Sequence, residues 1–255
     1  MSILQQLQKS KGTISSALGK SLAEKVLEGN TDILKEAIEL IGFNNKDVRA
    51  GAAKIIEKVA EKKPELVADY LMRRKTIDVI VREIIRLSEE RVPFVKLDKI
   101  SYETGKCLLD TPEEGFKLVE ELWKEVRDKE VKSNIDTLSV SAIVVVLSNI
   151  LGILSKKDFD KSIDTVEKYN LEGSAWYITD NLATRAVRHC YRVSQDKVAK
   201  SVKIWVNNEN KWHRRLGVVS ALIGVKYCDM DIDWCLSILH GIIPQEELIV
   251  NKAIA

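Results

Sequence analysis

Apolar residues recur at helical spacing along almost the whole chain. Ile33, Leu34, Ala37, Ile38 and Ile41 line one stripe, and Val48, Ala52, Ile55, Ile56 and Val59 line the next. Positions three and four apart share a helix face, so each stripe predicts an amphipathic helix. The polar stretch Asn44-Asn45-Lys46-Asp47 between them predicts a short turn joining two antiparallel helices. Pro64 to Tyr70 and Ile77 to Leu87 predict the next pair. At Thr111-Pro112-Glu113-Glu114 a helix start is expected: Thr111 can cap, Pro112 suits the first position, and Glu114 can reach back. Phe116, Val119, Leu122 and Trp123 supply its buried face. Further helices are expected over 139–154, 159–169, 175–193, 197–206, 212–225, 234–242 and 246–255. Only 4 Pro and 12 Gly interrupt 255 residues, and no period-two alternation is bounded by turn residues, so no strands are expected. The apolar run from Ala142 to Leu154 contains Ser148, Asn149 and Gly152. It is too short and too polar to span a bilayer and predicts a buried helix.

Asp47-Val48-Arg49-Ala50-Gly51-Ala52-Ala53 resembles the start of the second helix of a HEAT repeat. Together with the helix pairing, it implies an all-α fold: a HEAT-like α-solenoid of stacked antiparallel helix pairs. Such stacks curve and create a long concave binding surface. Val92-Pro93-Phe94 through Ser101 is the one candidate boundary. It separates an N-terminal helical section, 1–100, from a second section, 101–255, within what is expected to be one continuous solenoid.

Composition changes this picture little. Hydrophobic residues make up 45% and charged residues 31% of the chain, as in an ordinary soluble protein. Met1-Ser-Ile-Leu-Gln-Gln lacks a basic stretch followed by an apolar core, so a cytoplasmic location is expected. Cys107, Cys190, Cys228 and Cys235 lack the spacing of a zinc or redox site and read as thiols in a reducing compartment. His189, His213 and His240 lack metal-ligand spacing and read as exposed or structural. With no Gly-rich phosphate loop, Ser/His/Asp set or nucleotide fingerprint, neither a metal nor a cofactor is expected.

Charge changes it more. From Ser174 to Tyr227 there are ten Lys/Arg against three Asp/Glu, in a chain that carries 40 against 38 overall. The same segment contains Trp176, Trp205 and Trp212. A basic stretch with interleaved aromatics is the footprint of a polyphosphate-binding face, which points to nucleic acid. On a helix over 175–193, Trp176 and Asp180 share a face, and Arg185, Arg188, His189 and Arg192 lie further along it at spacings that also make a face. On a helix over 212–225, Trp212 and Arg215 are neighbours. A carboxylate beside indoles and flanked by cations can stabilise a developing positive charge while the cations hold a phosphate backbone. That suits N-glycosidic cleavage, whose transition state resembles an oxocarbenium ion.

Trp176-x-x-x-Asp180, then Trp205, then Trp212-x-x-Arg215, in this order and register, resembles the AlkD-type DNA glycosylases, the HEAT-like alkylpurine repair enzymes. The separation of Asp180 from Arg215 fits that family with no gap. Glu120-Glu121-Leu122-Trp123, the buried helix before Lys156 and the stretch Glu247 to Ala255 also resemble it, so the likeness covers roughly 116–255. It implies a monomer acting on double-stranded DNA that carries alkylated bases, with no membrane and no small-molecule cofactor. The reaction implied is release of positively charged N3- or N7-alkylated purines, without extruding the base into a pocket. Asp180 would be the catalytic carboxylate near the deoxyribose, Trp176 and Trp212 the aromatics against the sugar, and Arg215 a phosphate ligand. Arg188, Lys203, Lys211 and Arg214, from the same basic segment, join them as expected DNA contacts. The family pattern continues with a further tryptophan beyond the stretch matching Lys252-Ala253-Ile254-Ala255; Trp234 lies too early to take that place.

Other readings stay open on the same residues. Trp176, Trp205 and Trp212 can each be packing residues. Arg215 can be the arginine that ties neighbouring HEAT turns, with Asp180 its ion-pair partner. The Arg185, Arg188 and Arg192 face can be solvated surface. The alternative functions are a non-catalytic HEAT-repeat binder of DNA structure and a HEAT-type protein–protein scaffold.

Overall fold

The computed structural model describes residues 2–9, 16–73, 77–131, 136–173, 175–242, 250 and 252. The helix expected over 246–255 lies outside them apart from Val250 and Lys252. Among the described residues every regular element is helical and the fold is all-α. The chain runs α1 (Ile3–Lys9), α2 (Ser16–Leu27), α3 (Thr31–Leu40), α4 (Lys46–Lys62), α5 (Pro64–Arg73), α6 (Ile77–Glu89), α7 (Phe94–Cys107) and α8 (Pro112–Val131). It continues through α9 (Thr137–Leu154), α10 (Phe159–Glu172), α11 (Trp176–Asn181), α12 (Arg188–Val193), α13 (Gln195–Val206), α14 (Lys211–Cys228) and α15 (Ile232–Ile242). A π-helical turn, Leu182–Val187, joins α11 to α12 without a break.

Within the suggested boundary, Val92 and Pro93 belong to the link between α6 and α7, and α7 runs from Phe94 through Ser101. The Pro93 carbonyl accepts from the amides of Lys96 and Leu97 at 2.8 and 3.2 Å, and Leu97, Ile100 and Ser101 are buried on α7. Proline suits a helix entry, and the apolar spacing after it continues α7 to Cys107. Contacts group the chain into two units. One comprises Met1–Cys107 and Glu120–Val146, the other Leu108–Val119 and Leu147–Ala255.

In the first unit α4 is the centre, touching α1, α2, α3, α5 and α7. Val48, Ala52, Ile55, Ile56 and Val59 are fully buried along it, as their spacing requires. Asn45 caps it, its side chain accepting from the amides of Asp47 and Val48 at 2.9 and 3.2 Å. Arg49, in the HEAT-like segment, donates Nη1 to the carbonyls of Phe43 and Asn44 at 3.0 and 3.1 Å and Nε to Glu90 at 2.8 Å. It thereby ties the α3–α4 turn to the end of α6.

In the second unit α14 plays the corresponding part, packing against α10, α11, the π turn, α12, α13 and α15. Gly217, Ser220, Ala221 and Gly224 are buried along it, and their small size lets the neighbouring helices come close. At Gly217 a methyl group would lie 2.9 Å from the Val206 amide nitrogen, so only glycine accommodates the α13 backbone there. Asn210 caps α14 by accepting from the Trp212 amide at 2.8 Å. Arg214 donates Nη1 to the carbonyls of Asn208 and Glu209 at 3.0 and 2.7 Å. Asn45-Lys46-x-x-Arg49 and Asn210-Lys211-x-x-Arg214 are therefore the same local device, cap and turn staple, used once in each unit.

The most apolar helix, α9, begins at Thr137, upstream of the apolar run. It is long and apolar enough to cross a membrane by composition, with mean hydropathy 2.2, but 89% of it is buried, as befits a core helix.

Candidate active site

Trp176 and Asp180 lie on the same face of α11, one turn apart, as the i, i+4 spacing requires. Trp176 is more than half exposed. Arg215 projects from the first turns of α14 and meets Asp180 in a two-pronged ion pair. Its Nε donates to Oδ1 at 2.8 Å and its Nη2 to Oδ2 at 2.7 Å. The Arg215 side chain is 8% exposed and that of Asp180 is 28% exposed. The cation therefore backs the pair from the protein side, and the carboxylate holds its more open edge. Trp212 sits half-buried one turn before Arg215, with the Lys211 ammonium 5.8 Å from its ring centroid. Each member of the ion pair thus has an indole one turn before it on its own helix.

The ion-pair reading of Arg215 is the one this geometry shows. A guanidinium that spends Nε and Nη2 on a carboxylate, with so little exposure, holds Asp180 in place. The turn-tying role falls to Arg214, one residue earlier. Its Nη1 is engaged by two loop carbonyls, and its side chain is half-buried.

The remaining basic residues divide. Arg185 donates Nη1 to Asn181 Oδ1 at 2.6 Å and to Thr184 Oγ1 at 3.2 Å, and so lies along its own helix. The Arg188 guanidinium stacks on Tyr227, 4.4 Å from the ring centroid. Arg192 is exposed, with Nη1 3.5 Å from His189 Nδ1. On α13, Lys200 and Lys203 are exposed and form no ion pair with a described residue. Trp205 is fully buried and donates Nε1 to Glu167 Oε1 at 2.7 Å, so it is a core residue.

Three features of the site escaped the sequence. The first is the π turn. An extra residue in one turn rotates everything after it by about 100° relative to an unbroken α-helix, so Arg188, His189 and Arg192 do not continue the Trp176–Asp180 face in simple register. Gly152 of α9 packs directly on this turn: a methyl group there would lie 2.9 Å from Ala186 Cα and 3.0 Å from its carbonyl oxygen. Single π turns recur at functional sites.

The second is a buried polar chain behind the ion pair. Thr179 Oγ1 donates to Asn170 Oδ1 at 2.8 Å, and Asn170 Nδ2 lies 3.0 Å from His213 Nδ1. Burial pushes the His213 pKa down from its ordinary value, against a smaller opposing pull from Glu167, and so favours the neutral ring. A fully buried Asn beside Val166 and Tyr169 on the apolar face of α10 was the available signal. The third is the second Asn-Lys-x-x-Arg staple, legible only when both copies are set side by side.

A family model described as DNA alkylation repair enzyme matches residues 103–255. No curated protein and no solved structure matches the chain. The matched stretch covers more than half of the chain and contains Asp180, Arg215, Trp176 and Trp212. The chain therefore belongs to the DNA alkylation repair enzyme family, and its role is in DNA repair.

Proposed function

We propose that the protein is a DNA glycosylase that releases positively charged N3- or N7-alkylated purines from duplex DNA, with Asp180 as the catalytic carboxylate. The observation that supports this most is the arrangement of Asp180, held from behind by buried Arg215 and flanked by Trp176 and Trp212. In the reaction the C1′–N bond breaks, and its electron pair leaves with the purine and neutralises the base's charge. The sugar is left oxocarbenium-like; water adds at C1′ and loses a proton. A cationic base needs no proton to depart, so the enzyme's task is to stabilise positive charge on the sugar. A carboxylate fixed by two hydrogen bonds keeps its orientation without reorganising, and each of its oxygens retains a lone pair for the open side. Trp176 and Trp212 supply flat apolar surface against the sugar, and Lys203, Lys211 and Arg188 lie in the same segment to meet phosphates. In this reading Arg215 orients Asp180, and Arg214 belongs to the turn.

The test is release of 7-methylguanine and 3-methyladenine from methylated duplex DNA by the wild type and by Asp180→Asn. The variant should bind DNA normally and release base about 10- to 1000-fold more slowly. Equal rates reject Asp180 as the catalytic group. Binding without release by the wild type favours a non-catalytic DNA-structure binder. The ion pair supports that alternative to one extent, because Arg215 offsets part of the charge on Asp180.

A further inference from the structure

We propose that Thr179, Asn170 and His213 are positioning residues, a buried hydrogen-bonded chain that sets α11 against α14 and so holds Asp180 in register with Arg215. The proposal rests on the glycosylase reading for its kinetic readout alone. The three side chains come from three helices, and each is buried: Thr179 and Asn170 completely, His213 to within 3%. Thr179 directly precedes Asp180, and His213 stands two residues before Arg215. The chain therefore bridges the same two helices as the ion pair, one layer deeper.

Its polarity is set at one end. The Thr179 hydroxyl donates to Asn170 Oδ1 at 2.8 Å, which turns Nδ2 of the same amide toward His213 Nδ1 at 3.0 Å. With the amide so turned, His213 Nδ1 accepts, which puts the proton of the neutral ring on Nε2. The same hydroxyl also lies 3.4 Å from the Ala175 carbonyl, a longer contact than the one to Asn170. Buried polar groups are costly unless paired, so a shift of α11 along α14 would break at least one of the two contacts. The ion pair alone lacks this strictness, because an arginine side chain is long and can follow a displaced carboxylate. Small displacements at a reacting centre are expensive: about 1 Å of misplacement can cost about 100-fold in rate.

The test compares Thr179→Val, which removes the hydroxyl at nearly constant shape, with Thr179→Ser, which restores it. The His213→Leu and His213→Asn pair probes the far end, since the asparagine oxygen sits near the position of Nδ1. If one variant fails to fold, the other pair still decides. Two readouts are used. The first is hydrogen exchange of the Arg215 Nε–H, observed by nitrogen-15 NMR, which reports the bond to Asp180 without requiring activity. The second is single-turnover base release set against affinity for methylated duplex.

Thr179→Val and His213→Leu should speed Nε–H exchange and slow release by about tenfold, with affinity unchanged. Thr179→Ser and His213→Asn should recover both readouts. Wild-type exchange and wild-type rates in Thr179→Val, whatever its melting temperature, would reduce the chain to a packing feature and overturn the proposal. So would a Thr179→Ser variant as impaired as Thr179→Val. If the wild type releases no base, the glycosylase reading falls, and the exchange comparison still decides the positioning role.

Discussion

Arg215 grips Asp180 across 35 positions of sequence through two parallel N–H···O bonds of 2.8 and 2.7 Å. The buried partner is the cation, and the more exposed one is the carboxylate. That order decides which of the two can act outward. A planar guanidinium matches a carboxylate with both prongs, whereas an ammonium offers a single point of contact.

Arg215→Lys should therefore retain the charge and lose the orientation. Base release is expected to fall about tenfold, with DNA affinity within about twofold of wild type. Arg215→Ala leaves the carboxylate without its buried partner and should lower stability by about 2 kcal/mol, less than for a fully buried pair because Asp180 is partly exposed. Single-turnover kinetics and thermal melts of both variants check this. A lysine variant with the full wild-type rate would show that the two-pronged geometry is dispensable.

Duplex binding should weaken steeply with salt and be indifferent to sequence, because it draws on lysines such as Lys200 and Lys203 rather than on base-reading groups. Replacing Lys203 by Ala should reduce the slope of log affinity against log salt by about 1. Arg214→Ala, in contrast, should leave that slope nearly unchanged and lower the melting temperature, since its guanidinium is spent on the Asn208 and Glu209 carbonyls. Salt titrations of both variants separate the two roles.

At Gly152 the neighbour that must move is the backbone of the π turn, with Ala186 Cα 2.9 Å from the position a methyl group would take. Gly152→Ala should cost about 1–3 kcal/mol through overpacking, despite the better helix propensity of alanine. The melting temperature should fall by several degrees, and base release should fall with it if the turn shapes the site. A variant as stable as wild type would mean that α9 slides away from the π turn at no cost.

Acid should act on the first unit through Glu61. Lys58 donates to it at 2.7 Å and Lys96 pairs with it as well. The hydrogen bond from Lys58, then that from Lys96, lowers the Glu61 pKa from the ordinary 4.5 to about 2. A carboxylate with its folded pKa below its unfolded one contributes stability that is complete above the unfolded value and is lost as pH falls through the folded one. Glu61 is partly exposed, so screening keeps the contribution below about 1 kcal/mol. The melting-temperature gap between wild type and Glu61→Gln should be open near neutral pH and close between about 4.5 and 2. A gap that persists below that window would locate the effect elsewhere.

Helical periodicity and a shortage of breakers determined the class of fold from the sequence alone, because the i, i+3 and i, i+4 spacing of apolar residues is a local property of the chain. The same locality made Trp176 and Asp180 legible as neighbours, and Trp212 and Arg215 likewise. The basic, aromatic-rich segment was legible too, since charge and residue type need no coordinates.

The pairing of Asp180 with Arg215 stood in the sequence only as one of two readings, because nothing within α11 or α14 says how those helices lie against each other. Tertiary structure decided it, and it decided which residues point outward. Trp205 reads like Trp212 until packing buries it against α10 and Glu167. Arg214 and Arg215 differ by one position and hence by a rotation that sends one to the turn and the other to the carboxylate. The Thr179–Asn170–His213 chain and the π turn were beyond local rules altogether. Both depend on how closely α9, α10 and α14 approach the helix that carries Asp180, and that closeness is set by the combined packing of residues far apart in sequence.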